Sequence, residues 1–405
     1  MTMIQKQLEK AFNLFRKVHK MSPTALQFEQ HMRHPEKKIS VSFAHNGTMY
    51  NGFRIQYNTI LGPAKGGIRA ASYVNEEECT SLAFWMTVKT ALFNLPLGGG
   101  KGGFNVDMSQ MSDADKEEIC RKYVRAIYRD IGPTVDIPAP DVGTTSVMMD
   151  YMNDEYKKLS GTTCNGTFTG KTVANGGSLG RTEATGYGVS YMASLYANQF
   201  IPKNENNTYI LQGFGNVGSH TALYMEKFLP SYKLIAVGDH TGYYYNPAGF
   251  DVKQLFEYNA QHKSLCGIDA VIISKSEFFK TPVDIVIPAA LECEIDETVA
   301  ETMNCKLIVE GANGPCTPEA DTVLQRKNIQ IIPDILANAG GVIVSFYEWE
   351  QNMNNTMYSH ERVISLLRDK MKPVFMAIYN DDTTGTDKRT LCYVSSLNNI
   401  YRKFI

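Results

Sequence analysis

The sequence predicts an α/β protein of more than one domain, and three observations carry that prediction. Its 405 residues exceed one ordinary core, since domains usually hold about 100–200 residues. A short apolar strand, Tyr209-Ile210-Leu211, runs into Gly213-Phe214-Gly215-Asn216-Val217-Gly218, then a helical stretch to about Leu229, then a second apolar strand, Leu234–Gly238, ending at Asp239. Three more apolar runs, Val283–Ile287, Lys306–Val309 and Ile329–Ile332, each end in a small or polar turn. That is the pattern of buried parallel strands in a doubly wound sheet.

The elements follow in order. From Met1 to Met21 the chain is basic and amphipathic, with Ile4, Leu8, Phe12 and Phe15 at helical spacing and no cleavage-like segment behind them. It reads as a first helix of the fold and not as a targeting peptide. Residues Ile39 to Tyr57 alternate as strands do around Asn46-Gly47, a hairpin turn signal. A helix rich in apolar residues is predicted from Glu76 to Phe93, and a more polar one from Ser112 to Ile131, stopped by Gly132-Pro133. Val135–Gly143, with prolines at 138 and 140, forms a stiff loop. The polar run Lys203–Asn207 reads as a surface loop, and Thr317-Pro318-Glu319 starts a helix with a capping hydroxyl and a first-turn proline.

A lone glycine triplet is a weak signal, but here it lies between strand and helix, and Asp239 follows 21 positions after Gly218. In that context Gly213, Gly215 and Gly218, with Asn216 and Val217, predict a dinucleotide site. The glycines bring the backbone to a pyrophosphate whose charge rests on the helix N-terminus. Asp239 would accept hydrogen bonds from the adenosine ribose 2′-OH, which favours NAD over NADP. His240-Thr241 could still tolerate a 2′-phosphate.

Two lysines stand among glycines, Lys65 in Pro63-Ala64-Lys65-Gly66-Gly67 and Lys101 in Gly98-Gly99-Gly100-Lys101-Gly102-Gly103. Lys89 lies between them in the apolar helix. Glycine allows close backbone approach to a ligand, and a lysine in a dry pocket can serve as a base at neutral pH. Together the three suggest a pocket for an anionic substrate in which one lysine does chemistry. The net charge of −2 makes that positive site local and gives no field for nucleic acid. No apolar run is long enough to span a membrane. Eight cysteines without a C-x-x-C pair read as reduced thiols of a cytoplasmic protein. His31 and His34 read as a solvated helix end and not as metal ligands, so no metal is expected.

The segments Gly62–Arg69, Leu95–Gly103, Ile137–Gly143, Gly176–Arg181 with Glu183–Gly186, and Ala337–Asn352 resemble, in order and over nearly the whole chain, the glutamate, leucine, phenylalanine and valine dehydrogenase family. The glutamate branch fits best. The resemblance implies oxidative deamination of L-glutamate to 2-oxoglutarate and ammonia, and the reverse, with NAD or NADP. Lys101 would activate water, Asp141 shuttle protons at the substrate nitrogen, Lys89 grip the α-carboxylate, and Lys65 with Ser345 hold the side-chain carboxylate. Leucine- and phenylalanine-type relatives have apolar groups at the Lys65 position, so Lys65 names the substrate. Met86, one turn before Lys89, either walls the pocket or packs in the core. Thr185, Asn313 and Asn338 match contacts near the nicotinamide, and Arg181 is grouped with the cofactor-binding residues. Cys293 stands where the family often has asparagine, and Tyr57 where it has histidine. The resemblance further implies a homohexamer, and a domain plan of residues 1–182 for substrate and oligomerisation, a Rossmann-type domain over 183–339, and helices over 340–405 returning to the first domain.

Overall fold

A computed structural model of the chain describes residues 3–203, 207–380 and 385–405, with side chains from Lys6 onward; Ile4's side chain and residues 204–206 of the polar run lie outside them. The chain divides into two compact units. The first comprises Leu8–Arg181, Val342–Ser365 and Tyr393–Ile405, and the second Met1–Gln7, Thr182–Gly341 and Leu366–Cys392. The division differs from the expectation at both ends, because the segment through Gln7 and residues 366–392 group with the second unit. For residues 366–392 two contacts explain why: Tyr379 Oη donates to the Ile331 carbonyl at 2.9 Å, and the Arg389 guanidinium is seated on Glu310 and Asp321. The helix Lys388–Phe404 starts in one unit and ends in the other.

The first unit is built on a five-stranded mixed sheet of β1 (Lys37–His45), β2 (Thr48–Asn58), β3 (Ala64–Ala70), β4 (Gly99–Phe104) and β5 (Asp136–Pro140), in the order β1-β2-β4-β3-β5. β1 and β2 form the expected hairpin, with His45 opposite Thr48. Asn46 and Gly47 adopt φ of 49° and 78°, the left-handed pair that a two-residue hairpin loop needs. In the N-terminal helix Met3–Val18, Leu8, Phe12 and Phe15 are buried, and Phe15 packs against Phe28 and Tyr401.

The glycine-rich segments are not loops around a ligand. They are β3 and β4, paired in parallel with Ile68 opposite Gly102, and β4 is buried throughout. A Cβ on Gly66 would strike the Gly100 carbonyl, and one on Gly99 would strike Thr87 of the helix Glu76–Leu92. Glycine is therefore set here by strand–strand and strand–helix proximity. That helix is capped by Asn75, whose side chain accepts from Glu78 N–H, and it buries Ala83, Phe84, Val88 and Ala91. Near its C-terminal end, Ser396 donates to the Val88 carbonyl and Asn399 to that of Ala91, each at 2.9 Å. These bonds satisfy backbone acceptors on either side of Lys89.

The second unit holds a seven-stranded sheet of β6 (Thr208–Gln212), β7 (Lys233–Asp239), β8 (Gly242–Tyr245), β9 (Val271–Ile273), β10 (Ile285–Pro288), β11 (Leu307–Val309) and β12 (Gln330–Ile332), in the order β12-β11-β10-β6-β7-β8-β9. The five predicted strands are parallel neighbours. β8 and β9, which the sequence reading did not anticipate, extend the sheet in antiparallel fashion. Helices pack on it around Ile210, Phe278, Ile308 and Leu324, and Thr317 caps the helix Pro318–Arg326 as expected. All eight cysteines are free thiols, and no described helix is long and apolar enough to cross a membrane.

Candidate active site

In the first unit, β3, β4 and β5 deliver the charged groups. Lys101, on β4, is 7% exposed, and its Nζ lies 2.7 Å from Asp141 Oδ2, just past β5. The prediction paired these two residues, and the structure brings them together. The same carboxylate oxygen accepts from Arg69 Nε at 3.0 Å, and Arg69 also meets Glu78. Asp141 is fixed through its backbone as well, its N–H donating to Thr144 Oγ1 at 2.8 Å. Burial alone would raise the Asp141 pKa, but the Lys101 and Arg69 cations outweigh it and bring it down to about 2. Arg69 is a site residue that the sequence reading missed. The signal was its place in the Gly62–Arg69 motif, two residues after Gly67, whose Cβ would meet Asp141.

Lys65, on β3, is 1% exposed. Burial, then the charges of Arg181 and Arg54, lower its pKa from 10.5 to about 7, while Glu348 and Asp136 pull the other way. Ser345, on the helix Gly340–Met353, is buried and accepts from Arg181 Nε at 3.1 Å. Arg181 thus stands with Ser345 and Lys65 in the first unit, whereas the sequence grouped it with the cofactor-binding residues. Its side chain turns back to a helix 164 positions later. Desolvation lowers the Arg181 pKa, offset in part by Glu348.

The other buried charges nearby are matched. Arg54 Nε donates to Asp136 at 2.8 Å, and Lys171 Nζ lies 2.9 Å from Glu348, both side chains fully buried. Lys65 and Arg181 form no ion pair with a carboxylate among the described residues. Lys89 and Met86 share the half-buried face of the helix Glu76–Leu92. Met86 Cγ would lie 3.2 Å from a Cβ at Gly66, so Met86 packs against β3.

In the second unit the three fingerprint glycines have separate jobs. Gly213 has φ of 89°, and its Cβ would strike the Ala289 backbone; a Cβ on Gly218 would strike the Gly213 carbonyl. Gly215 has no heavy atom within 4 Å of where its Cβ would be. It also precedes the 13-residue helix Asn216–Phe228, which has no side-chain cap at its N-terminus. An open backbone beside an uncapped helix start fits an anionic pyrophosphate. Asn216 Nδ2 donates to the Thr182 carbonyl at 2.9 Å, and Val217 forms the first turn. Thr185 is the second residue of the helix Ala184–Phe200.

Asp239 ends β7. Its Oδ1 accepts from Thr241 N–H and Oγ1–H, and its Oδ2 accepts from Leu265 N–H at 2.6 Å. An ionised carboxylate offers about four acceptor positions, so one remains for a ribose hydroxyl. Asn338 Nδ2 donates to Asn313 Oδ1 at 3.0 Å and to the carbonyls of Gly311 and Ala312 at 3.2 Å. The two predicted asparagines are therefore adjacent at the carboxyl end of β11, where doubly wound sheets bind ligands.

A doubly wound sheet with the glycine fingerprint, and a buried lysine–aspartate pair, define the class of nucleotide-dependent oxidoreductases. Family models agree. The glutamate/leucine/phenylalanine/valine dehydrogenase model matches residues 176–404, and the dimerisation-domain model of that family matches residues 35–158. The NAD-specific glutamate dehydrogenase of Clostridioides difficile is 42% identical over 358 residues, covering 87% of this chain and 85% of that protein. The NADP-specific glutamate dehydrogenase of Synechocystis is 38% identical over 389 residues, covering 92% and 90%. The hetero-hexameric glutamate dehydrogenase of Thermus thermophilus superposes with a TM-score of 0.89 at 28% identity, over 98% of this chain and 96% of that one. The chain belongs to the glutamate/leucine/phenylalanine/valine dehydrogenase family.

Proposed function

We propose that the chain converts L-glutamate and water to 2-oxoglutarate and ammonia, and the reverse, with NAD or NADP. The observation that carries the choice of glutamate is that Lys65, 1% exposed, and the half-buried Arg181 beside Ser345 form no ion pair with a carboxylate among the described residues. A substrate with a second carboxylate supplies the missing charge. An apolar amino acid would leave both cations uncompensated, at a cost of several kcal/mol. In this reading Lys89 holds the α-carboxylate. Asp141, kept ionised, takes a proton from the substrate nitrogen as the Cα hydride leaves. The bound nicotinamide supplies the hydride acceptor. Water then adds to the resulting iminium carbon, and Lys101, acting here as the neutral amine, takes its proton. The 2.7 Å contact between Lys101 and Asp141 lets that proton pass to the nitrogen, and the C–N bond then breaks to release ammonia as the carbonyl forms and Lys101 takes the hydroxyl proton.

Gly213–Gly218 with the helix start at Asn216 would hold the pyrophosphate, Asp239 the adenosine ribose, and Thr185, Asn313 and Asn338 the nicotinamide end. Asp239 supports NAD over NADP, because its charge opposes a 2′-phosphate. A homohexamer in the cytoplasm completes the proposal. The hetero-hexameric Thermus relative and the matched dimerisation-domain model support a six-subunit assembly, identical subunits being part of the proposal, and eight free thiols suit a reducing compartment. Steady-state assays with 2-oxoglutarate, ammonia and either NADH or NADPH test this directly. Turnover is expected, faster with NADH at equal concentration; no turnover with either would sink the enzyme reading.

A further inference from the structure

Behind the turn that carries Asn313 lies a buried cluster of three carboxylates and a thiol. The ligand atoms of Glu310, Cys316 and Asp321 lie within 4.8 Å of one another, close enough for a metal ion, but a guanidinium is already seated on the two carboxylates. Arg389 Nη1 and Nη2 each donate to Glu310 at 2.7 Å. Its Nε donates to Asp321 at 2.9 Å and its Nη2 at 3.2 Å. Nη1 also reaches Asp334 Oδ1 at 3.2 Å. Glu310 and Asp334 are 0% and 1% exposed, and Arg389 is 6% exposed.

Two of the fork's three partners, Glu310 and Asp334, go on to hold the same turn. Glu310 immediately precedes Gly311, and its Oε2 also accepts the Asp334 N–H at 2.8 Å. Asp334 Oδ2 accepts the Gly314 N–H at 2.9 Å, and Oδ1 accepts the Ile335 N–H at 2.8 Å. Asp334 also starts the four-residue helix Asp334–Ala337, and the next residue is Asn338, which bonds Gly311, Ala312 and Asn313. Arg389 is therefore joined to both ends of the Gly311–Gly314 turn and to the helix that presents Asn338. A planar fork with five donors fixes such a geometry more tightly than a point charge can. The glycine fingerprint and Asp239 are not bonded to this cluster.

We propose that Arg389 is a positioning residue for the nicotinamide end of the dinucleotide, acting through Glu310 and Asp334 on Asn313 and Asn338. The inference rests on the reading that these two asparagines face that end of the cofactor. Its test uses the full chain and two probes: NADH, which reaches the turn, and ADP, which engages only the fingerprint and Asp239. Arg389→Lys keeps the charge and loses the fork. It should weaken NADH binding about tenfold, the worth of a lost charge-assisted hydrogen bond, and leave ADP binding within about twofold. Asp334→Asn, which keeps one acceptor and loses the other, should give the same selective loss if Arg389→Lys fails to fold. Circular dichroism confirms the fold of each variant. Equal weakening of NADH and ADP, or unchanged NADH binding in a folded variant, would overturn the proposal. Wild-type protein that binds NADH without turning over glutamate would instead defeat the substrate reading, and the two affinities would still decide this one.

Discussion

Replacing Lys65 with methionine is expected to move stability and substrate choice in opposite directions. The lysine is 1% exposed, and its pKa falls from 10.5 to about 7 because it is buried, with Arg181 and Arg54 reinforcing the fall. At about 1.4 kcal/mol for each pH unit, holding that proton in the folded state costs roughly 5 kcal/mol, an upper bound because interiors relax and admit water. Between about pH 7 and 10.5 the unfolded chain keeps the proton and the folded chain releases it, so wild-type stability rises with pH across that window. Below about pH 7 both states hold the proton and the full penalty stands. Methionine is similar in length and carries no charge. The variant should be the more stable protein near pH 7, by as much as a few kcal/mol, with the advantage shrinking toward pH 10.

Catalysis should go the other way. Removing one partner of a buried charge pair costs about 3–5 kcal/mol. Arg181 and Ser345 would still face the carboxylate, so the lower end applies, or about two decades in kcat/KM for glutamate. Norleucine brings no second carboxylate, and its kcat/KM should hold or rise. Urea midpoints near pH 7 and pH 10, together with kcat/KM for the two amino acids, decide the matter. Equal losses for glutamate and norleucine would remove Lys65 from the side-chain clamp. A variant less stable than wild type near pH 7 would refute the picture of a cation held without its counter-charge.

The fingerprint predicts a cleaner separation at Gly215, which has φ of −74° and open space beside it. Gly215→Ala should leave the melting temperature unchanged and lower dinucleotide affinity more than about tenfold, as titration with NADH would show. Arg69→Gln removes one of the two cations that outweigh burial at Asp141, so that carboxyl should protonate at higher pH. Because the ionised form is the active one, the acid limb of the kcat/KM profile should move up by about one pH unit; an unmoved limb would show that Arg69 does not tune Asp141. Cys293 is exposed and adopts φ of 55°, a left-handed conformation that asparagine tolerates better. Cys293→Asn should therefore raise the unfolding free energy by about 0.5–1 kcal/mol, measured by urea denaturation, without altering turnover.

Features encoded by neighbours in sequence were the legible ones. The Asn46-Gly47 hairpin, the Thr317 cap and the β6-glycine-helix-β7 unit each lie within one short stretch, and each forms as read. Side chains that act across long separations were not legible. Arg181 meets Ser345 164 positions away, and Arg389 meets Glu310 79 positions away; no local pattern marks either contact. β8 and β9 escaped because Gly242–Tyr245 is rich in tyrosine without an apolar alternation, and Val271–Ile273 spans three residues. The helices after residue 340 show the same limit, since amphipathic spacing reveals that a face is buried and not which unit buries it.

The lysines among glycines show how one motif can answer to two unrelated constraints. On β3 and β4 the glycines are required by what lies behind them: a Cβ on Gly102 would collide with Tyr123 and Arg54, and one on Gly103 with Arg69 and Val74. The lysines answer to the charges around them. Close approach to a ligand, the usual reason for reading glycine as functional, applies at one place only. Of the glycines in the three motifs, at 66, 67, 98–100, 102, 103, 213, 215 and 218, Gly215 alone has no neighbouring atom where a Cβ would be. Alanine at the others must first displace backbone or packed side chains, so stability should fall before binding does. At Gly215 binding should fall with stability intact. The lysine motif is thus functional through its cations and structural through its glycines, and only the fingerprint carries a glycine whose absence of side chain is itself the binding feature.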